Sequence, residues 1–366
     1  MRAGNRNIKY NESLVNRIRS IRRKKLKKRL EFTKEQLEKP ISFWIKKDRL
    51  LNEIGKEFTI ILRTRGCNWA LGETGGCSMC GYVQDANINE VKPNQIKSQF
   101  NYALQNKLDE IENDKYNFVL KLFNSGSFLD ENEIAQNVRS YIYNKIAKIK
   151  KIKEVVIESR IEYVSSEKLE ELSDSLKKKY IEVGIGLETI NDYIRNNYIN
   201  KGLLYNEFLN TLQLCKEHSI GVKAYLLFKP PFLNEISAID DCVESIKTLV
   251  NLKLNTISIN PLNIQKGSFT EYLWFQNRYR PPWFYSLIKC LKKSIIQDNL
   301  KSVRIISDPS GAGTKRGIHN CLKRNCNENM IKLLKNFVLN QNTNFLEKPY
   351  EECGCKTIYQ LQRHYC

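Results

Sequence analysis

Residues 58–80 read FTIILRTRGCNWALGETGGCSMC. An apolar run ending at Leu62 comes directly before a glycine-rich segment with the cysteines Cys67, Cys77 and Cys80, spaced C-x9-C-x2-C. The run predicts a buried strand, and the cysteines then occupy the loop after it. Protein-bound iron–sulfur clusters usually have four cysteine ligands, so three indicate a [4Fe–4S] cluster whose last iron is open to a small molecule. A zinc site lacking its fourth ligand, or buried free thiols, are the alternatives.

Further short apolar runs alternate with helical patterns along the chain. Six units of this kind predict right-handed crossovers and a parallel sheet, curled into a partial (β/α)6 barrel of the TIM type. A doubly wound sheet is the alternative, but no G-x-G-x-x-G follows the first strand. The predicted strands are 57–64, 118–123, 153–158, 181–187, 220–228 and 254–260, with a possible seventh at 302–307, and the predicted helices are 93–112, 131–149, 166–179, 203–219 and 236–251.

Composition predicts a cytoplasmic protein without a membrane partner. The chain has 366 residues and 11 cysteines, and no apolar run approaches the roughly 18 residues of a membrane span. The polar, basic N-terminal segment does not resemble a secretory signal. Many cysteines in such a chain favour metal or cluster ligation over disulfides.

Positive charge is concentrated at the start of the chain. The net charge is +20, and residues 1–50 carry 17 Lys/Arg against five Asp/Glu. Apolar residues recur at helical spacing within the densest part, 17–30, which predicts a basic amphipathic helix. RNA is the partner expected for such an arm, and a solvated helix face or a membrane-surface helix are the alternatives. We therefore divide the chain into a basic helical arm for RNA or partner contact (1–50), a core (51–300) and a C-terminal extension (301–366).

A second set of cysteines lies in that extension. Cys321 and Cys326 form one pair, and Cys353 and Cys355 form another. Four thiolates can close a tetrahedral structural zinc site. His319 could replace one of them, and Cys366 is a further candidate. An additional iron–sulfur cluster or unligated thiols are the alternatives, whereas Cys215, Cys242 and Cys290 lie in apolar helical patterns and are expected in the core.

Polar residues follow the predicted strands. Parallel barrels collect their reactive groups at the carboxyl ends of the strands, so we expect these residues near the cysteine loop. No acid–base pair is evident, and the chain has only three histidines, so no catalytic residue is assigned. The segments are 124–130, 158–160, 186–189, 229–231 and 260–262.

Three segments resemble a known family. LRTRGCNW at 62–69, GCSMCGY at 76–82 and GAGTKRGIHNC at 311–321 are similar to the radical S-adenosylmethionine (SAM) subunits of archaeosine synthase. That family belongs to the radical SAM group that includes the Elongator catalytic subunit, whose cysteine motif has a similarly wide first spacing. The resemblance extends from about residue 57 to the C-terminus.

The resemblance implies a role for each matched residue. The three cysteines would bind the [4Fe–4S] cluster, and SAM would chelate the fourth iron. Met79 and Tyr82 would contact adenine, while Gly126 and Ser127 would meet the SAM amino group, although this family usually has a richer glycine and glutamate motif there. Arg160 would neutralise the SAM carboxylate. Glu188 would accept hydrogen bonds from the ribose hydroxyls. For Glu158, Arg160 and Glu188, an ion-pair network is the alternative. The implied SAM-binding residues are Met79, Tyr82, Gly126, Ser127, Glu158, Arg160 and Glu188.

The resemblance also implies a reaction on tRNA. A partner synthase subunit would attach lysine to a preQ0 base in the D-loop, and this chain would be the lyase that cleaves a carbon–nitrogen bond of the adduct to give archaeosine. An electron donor would reduce the cluster. The alternatives are another radical SAM enzyme of tRNA modification, such as a methylthiotransferase or an Elongator-like protein, and a non-catalytic iron–sulfur protein that binds RNA.

Overall fold

Eight strands form one sheet in the computed structural model, which describes residues 11–26, 31–347 and 353–365. The strands follow one another in chain order across the sheet. The first is antiparallel to the second, and all later neighbours are parallel. The strands are β1 (Ser42–Arg49), β2 (Ile54–Leu62), β3 (Phe118–Asn124), β4 (Ile152–Glu158), β5 (Tyr180–Glu188), β6 (Gly221–Phe228), β7 (Thr256–Pro261) and β8 (Arg304–Ile306).

Helices alternate with the parallel strands, as crossover connections require. The sheet curls into a half-barrel, and apolar helix faces cover its outer side in one continuous core. The helices are α1 (Glu12–Leu26), α2 (Lys34–Leu37), α3 (Asn68–Leu71), α4 (Pro93–Gln105), α5 (Leu108–Asn113), α6 (Gln136–Ala147), α7 (Ser166–Ser175), α8 (Asp192–Asn197), α9 (Tyr205–Glu217), α10 (Glu235–Asn251), α11 (Phe269–Phe275), α12 (Phe284–Ser294), α13 (Arg324–Asn340), α14 (Asn344–Glu347) and α15 (Cys355–Gln362).

The predicted fold class is confirmed. The six predicted strands correspond to β2–β7, and the possible seventh at 302–307 contains β8. Sequence reasoning missed β1, because Trp44 and Ile45 are followed by two lysines and its burial does not alternate cleanly. Since β1 belongs to the sheet, the arm drawn as 1–50 includes one strand of the barrel.

Ion pairs fill the amino-terminal end of the barrel. The ammonium of Lys121 contacts the Asp48 carboxylate at 2.6 Å and also pairs with Glu57. Arg304 bridges Glu154 and Glu182 at 2.7 and 2.8 Å. All of these side chains are buried, so removal of one partner would leave an uncompensated charge. This network closes one end of the barrel, while the strand carboxyl ends form the other.

The described part of the basic run lies in the helix α1, as predicted. In α1 the buried face carries Leu14, Ile18 and Arg22. Part of the basic run, Lys27, Lys28, Arg29 and Leu30, and the candidate ligand Cys366 lie outside the described residues. Among the helices that the structure describes, none combines the length and apolar character that a membrane span needs.

Candidate metal and cofactor site

The three cysteines lie in one loop at the carboxyl end of β2, as predicted. We call residues 63–81 the cluster loop. Cys67 is the residue before α3, and the chain then folds back so that Gly76 lies against Ala70. A Cβ at Gly76 would come within 2.7 Å of the Ala70 Cα, and its φ of +87° is one that glycine tolerates best. Cys77 and Cys80 follow this fold-back, and the charges of the three thiolates act on one another: Cys77 on Cys67, Cys80 on Cys77 and Cys67 on Cys80.

Residues after β5 hold the cluster loop from one side. The indole of Trp69 donates to the Asn200 carbonyl at 2.8 Å, and the Asn200 side-chain amide donates to the Gly76 carbonyl at 2.8 Å. Gly202 lies directly under the Trp69 ring, where any side chain would collide. The loop is therefore fixed by a segment that is distant in the chain.

Ser78 anchors the turn between Cys77 and Cys80. Its amide donates to the Ile199 carbonyl and its hydroxyl to the Tyr198 carbonyl, both at 2.8 Å. Its own carbonyl accepts from the Thr270 amide of α11 at 3.1 Å. The turn is thus held between two elements that follow β5 and β7.

Helix α1 packs on the outer side of the cluster loop. The buried guanidinium of Arg22 donates to the carbonyls of Gly75 at 3.0 Å and Cys80 at 2.8 Å. Gly75 permits this approach, because a Cβ there would lie 2.8 Å from the Arg19 backbone. The sequence predicted an arm that contacts RNA or a partner, and it did not place Arg22 at the cluster loop. The signal was its position four residues after Ile18, on the apolar face of the helix.

Electrostatics around the thiols combines burial with nearby cations. Burial raises the pKa of Cys67, Cys77 and Cys80, and mutual repulsion of the thiolates adds to this. Cations oppose the rise: Arg160 acts on Cys67 and Cys77, Lys201 on Cys77 and Cys80, and Arg22 on Cys80. The net effect is a raised pKa, so burial disfavours free thiolates here and a bound metal would have to compensate their charge.

Two of the predicted SAM ligands form ion pairs in the structure. Arg160 pairs with Glu162 at 2.6 Å and donates to the Lys201 carbonyl at 3.1 Å. The Glu188 carboxylate pairs with the Lys201 ammonium at 2.6 Å. Glu158 lies in the same interior, where burial raises its pKa against the opposing effect of the Tyr225 hydroxyl. Arg160 and Glu188 thus form ion pairs of the kind that the sequence analysis gave as the alternative to SAM binding. Their roles in binding SAM stay predictions.

The segment after β3 contains a carboxylate that sequence reasoning missed. Glu133 accepts from the Ser127 amide at 2.8 Å and from the Thr64 hydroxyl at 2.6 Å. A Cβ at Gly126 would lie 1.8 Å from that carboxylate, so only glycine allows the contact. Burial raises the pKa of Glu133 to about 7. The signal was the run of carboxylates Asp130, Glu131 and Glu133 directly after the predicted strand.

The other two predicted SAM ligands lie at the edge of the cluster loop. Met79 is half-buried beside the apolar residues that contact α1, and Tyr82 is exposed. Tyr82 begins a short 3-10 helix directly after the loop, next to Gly81. The loop thus brings one apolar and one aromatic side chain to the rim near the cysteines.

Unsatisfied polar atoms lie around this end of the barrel. Within the described residues, Asn124 Oδ1, Ser125 Oγ, Asn200 Oδ1 and Arg22 Nη1 are buried without a hydrogen-bond partner. Buried polar groups are nearly always bonded, so a polar ligand or ordered water belongs here. Three thiols, the surrounding cations and these atoms are a donor set that suits a cluster and SAM.

The four C-terminal cysteines converge as predicted. Cys321 lies before α13, Cys326 is in its first turn, and Cys353 and Cys355 precede and begin α15. Their sulfurs all lie within 4.8 Å of one another, with 3.9 Å between Cys321 and Cys353 and 3.8 Å between Cys326 and Cys355. His319 is not in this group; its Nδ1 donates to the Gly317 carbonyl at 2.8 Å. Cys215, Cys242 and Cys290 are buried in the core, as expected.

Comparison with known proteins gives close sequence relatives. No family model matches the chain. The archaeosine synthase subunit beta of Methanosarcina acetivorans is 34% identical over 335 residues, covering 92% of this chain and 93% of that protein. The subunit beta of Thermococcus kodakarensis is 37% identical over 323 residues, covering 88% and 97%. An uncharacterized protein of Methanocaldococcus jannaschii is 39% identical over 343 residues, covering 93% and 91%.

Among solved structures, the Elp3 protein of Methanocaldococcus infernus with an N-terminal deletion matches with a TM-score of 0.47 and 15% identity, over 68% of this chain and 60% of that one. The radical SAM methyltransferase TsrM of Kitasatospora setae, with cobalamin and a [4Fe–4S] cluster bound, matches with a TM-score of 0.38 and 10% identity, over 58% and 35%. The identity to two subunits of the same name, over about nine-tenths of each chain, decides the family. This chain belongs to the archaeosine synthase subunit beta family.

Proposed function

We propose that this chain is the radical SAM subunit of an archaeosine-forming enzyme. The observation that carries the proposal is the convergence of Cys67, Cys77 and Cys80 in one loop, surrounded by Arg22, Arg160 and Lys201. A [4Fe–4S] cluster with SAM, when bound, supplies one electron that cleaves SAM into methionine and a 5′-deoxyadenosyl radical able to abstract hydrogen. The three thiolates hold that cluster, and the cations offset its negative charge.

The residues around the cluster loop bind and orient SAM in this proposal. Arg160 leaves its pair with Glu162 to meet the SAM carboxylate, and Glu188 accepts from the ribose hydroxyls. Gly126 and Ser127 offer backbone carbonyls to the SAM amino group. Glu158 contributes a further carboxyl group to the same site, and Met79 and Tyr82 contact adenine. The packed arm and barrel exclude water from the radical, which must lie close to a single C–H bond.

The substrate is a modified base on tRNA. A partner subunit attaches lysine to preQ0 in the D-loop, and this chain breaks a carbon–nitrogen bond of the adduct to leave the formamidine of archaeosine. An electron donor would have to reduce the cluster. The names of the relatives support the tRNA substrate and the partner subunit.

The C-terminal quartet holds a structural zinc ion in this proposal. Zinc binds thiolates at about 2.3 Å, so the edges of a tetrahedral site are about 3.8 Å. Two sulfur–sulfur distances in the structure, 3.8 and 3.9 Å, are close to the edge of such a site, which supports one tetrahedral ion. The bound ion joins α13 to α15 and leaves no open position for catalysis.

A single experiment tests the radical chemistry. The protein is reconstituted anaerobically with iron and sulfide, reduced with dithionite and supplied with SAM, and 5′-deoxyadenosine is measured. We expect activity in the wild type and none in Cys67→Ala, whereas Cys215→Ala, which removes a buried core thiol, keeps it. Equal 5′-deoxyadenosine formation by Cys67→Ala and wild type would reject the cluster assignment.

A further inference from the structure

A continuous row of aromatic rings lies beside the cluster loop. Neighbouring ring centroids along the row are 5.6, 5.4, 6.0 and 5.9 Å apart. The guanidinium of Arg17 on α1 lies over the last ring, 4.4 Å from its centroid. In order, the rings belong to Tyr193, Tyr198, Phe232, Phe269 and Tyr272, and we call them the aromatic row.

The aromatic row is attached to the turn that carries two of the cluster cysteines. Its members come from the segments that follow β5, β6 and β7, at the open end of the barrel. Ser78, between Cys77 and Cys80, donates its hydroxyl to the Tyr198 carbonyl, and its carbonyl accepts from Thr270, the neighbour of Phe269. A ligand that lies along the row is therefore next to the proposed cluster.

Folding alone does not explain the row. Tyr193 is 63% exposed and Phe232 is 44% exposed, although burial of such rings is favourable. Phe232 also has a φ of +72°, which is strained for a bulky side chain. Strain of this kind is retained where the surrounding structure imposes it, and it is concentrated at ligand sites.

Positive charge flanks the row. Arg17 contacts Tyr272, and the charge of Arg278 also acts on the Tyr272 hydroxyl. The exposed Lys24, seven residues after Arg17, lies on the same face of α1 and extends this positive surface. Aromatic rings next to cationic groups are how proteins bind single-stranded nucleic acid, since every base has a face for stacking and every phosphate attracts a cation.

We propose that the aromatic row is a stacking platform for unpaired nucleotides of the RNA substrate. The proposal rests on the proposed function, because it concerns how the modified base of that RNA reaches the site. A base within a stacked helix cannot reach a buried reactive centre, so it must be unstacked and moved outwards. Tyr193 and Phe232 then replace the stacking of the neighbouring nucleotides, and the basic face of α1 contacts the phosphates.

The test compares RNA binding by Tyr193→Ala, Phe232→Ala and the double variant with wild type. The probes are an unmodified tRNA transcript and a short oligouridylate, measured by fluorescence anisotropy at several salt concentrations. Removal of one stacking ring costs about 1–3 kcal/mol, so we expect binding roughly 5- to 160-fold weaker. The dependence on salt should be unchanged, because stacking releases no counterions.

The controls separate stacking from folding. Tyr102 on α4 is the control, because its exposed ring also lies near a cation, with the Lys39 ammonium 5.6 Å from the ring centroid, but it packs against β1. Tyr102→Ala should bind RNA like wild type. Tyr193→Phe keeps the ring and should keep the affinity. Weaker binding by Tyr193→Phe as well as by Tyr193→Ala would overturn the stacking role in favour of a hydroxyl contact.

Other outcomes overturn the proposal or separate it from the proposed function. Wild-type affinity in the double variant would remove the platform, and weaker partner-subunit binding with unchanged RNA binding would make the row a protein interface. Formation of 5′-deoxyadenosine without RNA is measured in parallel. If wild type cleaves no SAM but the row variants still bind RNA more weakly, the radical chemistry fails and the platform stands.

Discussion

Replacement of Arg22 by alanine tests whether α1 is part of the cluster site. The guanidinium makes hydrogen bonds to the carbonyls of Gly75 and Cys80, and these bonds connect the helix to the cluster loop. We expect Arg22→Ala to fold, because Leu14 and Ile18 still pack α1 against the barrel. The cluster loop should open more often, and the protein should retain less iron after reconstitution.

The magnitude follows from the two bonds. A hydrogen bond from a charged donor contributes about 1.5–3 kcal/mol, and water can rehydrate both carbonyls when α1 lifts, so the lower value applies to each. The sum of about 3 kcal/mol corresponds to an opening equilibrium on the order of a hundredfold larger. Arg22→Lys keeps the charge but not the planar fork, so we expect an intermediate effect.

Hydrogen–deuterium exchange of the apoprotein measures this opening without dependence on the cluster. Peptides covering 12–26 and 72–80 should exchange markedly faster in Arg22→Ala, by up to about a hundredfold. Arg23→Ala is the matched control, because Arg23 is exposed on the same helix. Equal exchange in the two variants, with equal iron content, would refute the role that we give Arg22.

Three further predictions concern the barrel interior, the C-terminal quartet and the arm. Burial and the neighbouring Lys121 lower the pKa of Lys223 to about 8, so its charged form is disfavoured in the folded state and stability is gained as pH rises from 8 towards 10.5. Relative to Lys223→Met, the wild-type unfolding free energy from denaturant titration should increase by up to about 3 kcal/mol across that range, and a constant difference would contradict the buried amine. Metal analysis should find about one zinc per chain, and removal of the zinc by a chelator should lower the melting temperature. Cys326→Ser should abolish zinc uptake, and zinc retained by that variant would reject the quartet as the zinc site. Deletion of residues 1–26 should reduce the slope of log affinity for tRNA against log salt by roughly 0.7–0.9 for each phosphate that the arm neutralises. The deletion should also lower the iron content. An unchanged salt slope together with an unchanged iron content would make α1 a surface helix without a role in binding.

The strand pattern and the cysteine spacing were enough to predict the barrel. Short apolar, β-branched runs specify buried parallel strands directly, and the C-x9-C-x2-C loop follows the first of them. The edge strand β1 was not predictable in this way. It carries Lys46, Lys47 and Asp48, and its place in the sheet depends on pairing with β2, which the local pattern does not reveal.

The supporting residues of the site were harder to predict than the cysteines. Lys201, Asn200 and Glu133 contact the cluster loop or its neighbours only because the fold brings distant segments together. Arg22 was hidden because a dense run of basic residues suggests solvent or RNA, and its apolar neighbours were assigned to a free amphipathic helix. The structure adds a contact between arm and core, since α1 packs on the cluster loop through Arg22.

The anchoring of Ser78 has a consequence for the order in which the protein matures. The Ser78 amide donates to the Ile199 carbonyl, its hydroxyl donates to the Tyr198 carbonyl, and its own carbonyl accepts from the Thr270 amide. A nascent chain presents all three cysteines once synthesis has passed Cys80, yet the last of these contacts is formed only after Thr270 has been added. Long-range contacts form late because the intervening chain must first be ordered. We therefore expect cluster insertion to follow synthesis of most of the barrel, so that unfinished chains have exposed cysteines in a loop that cannot yet retain iron.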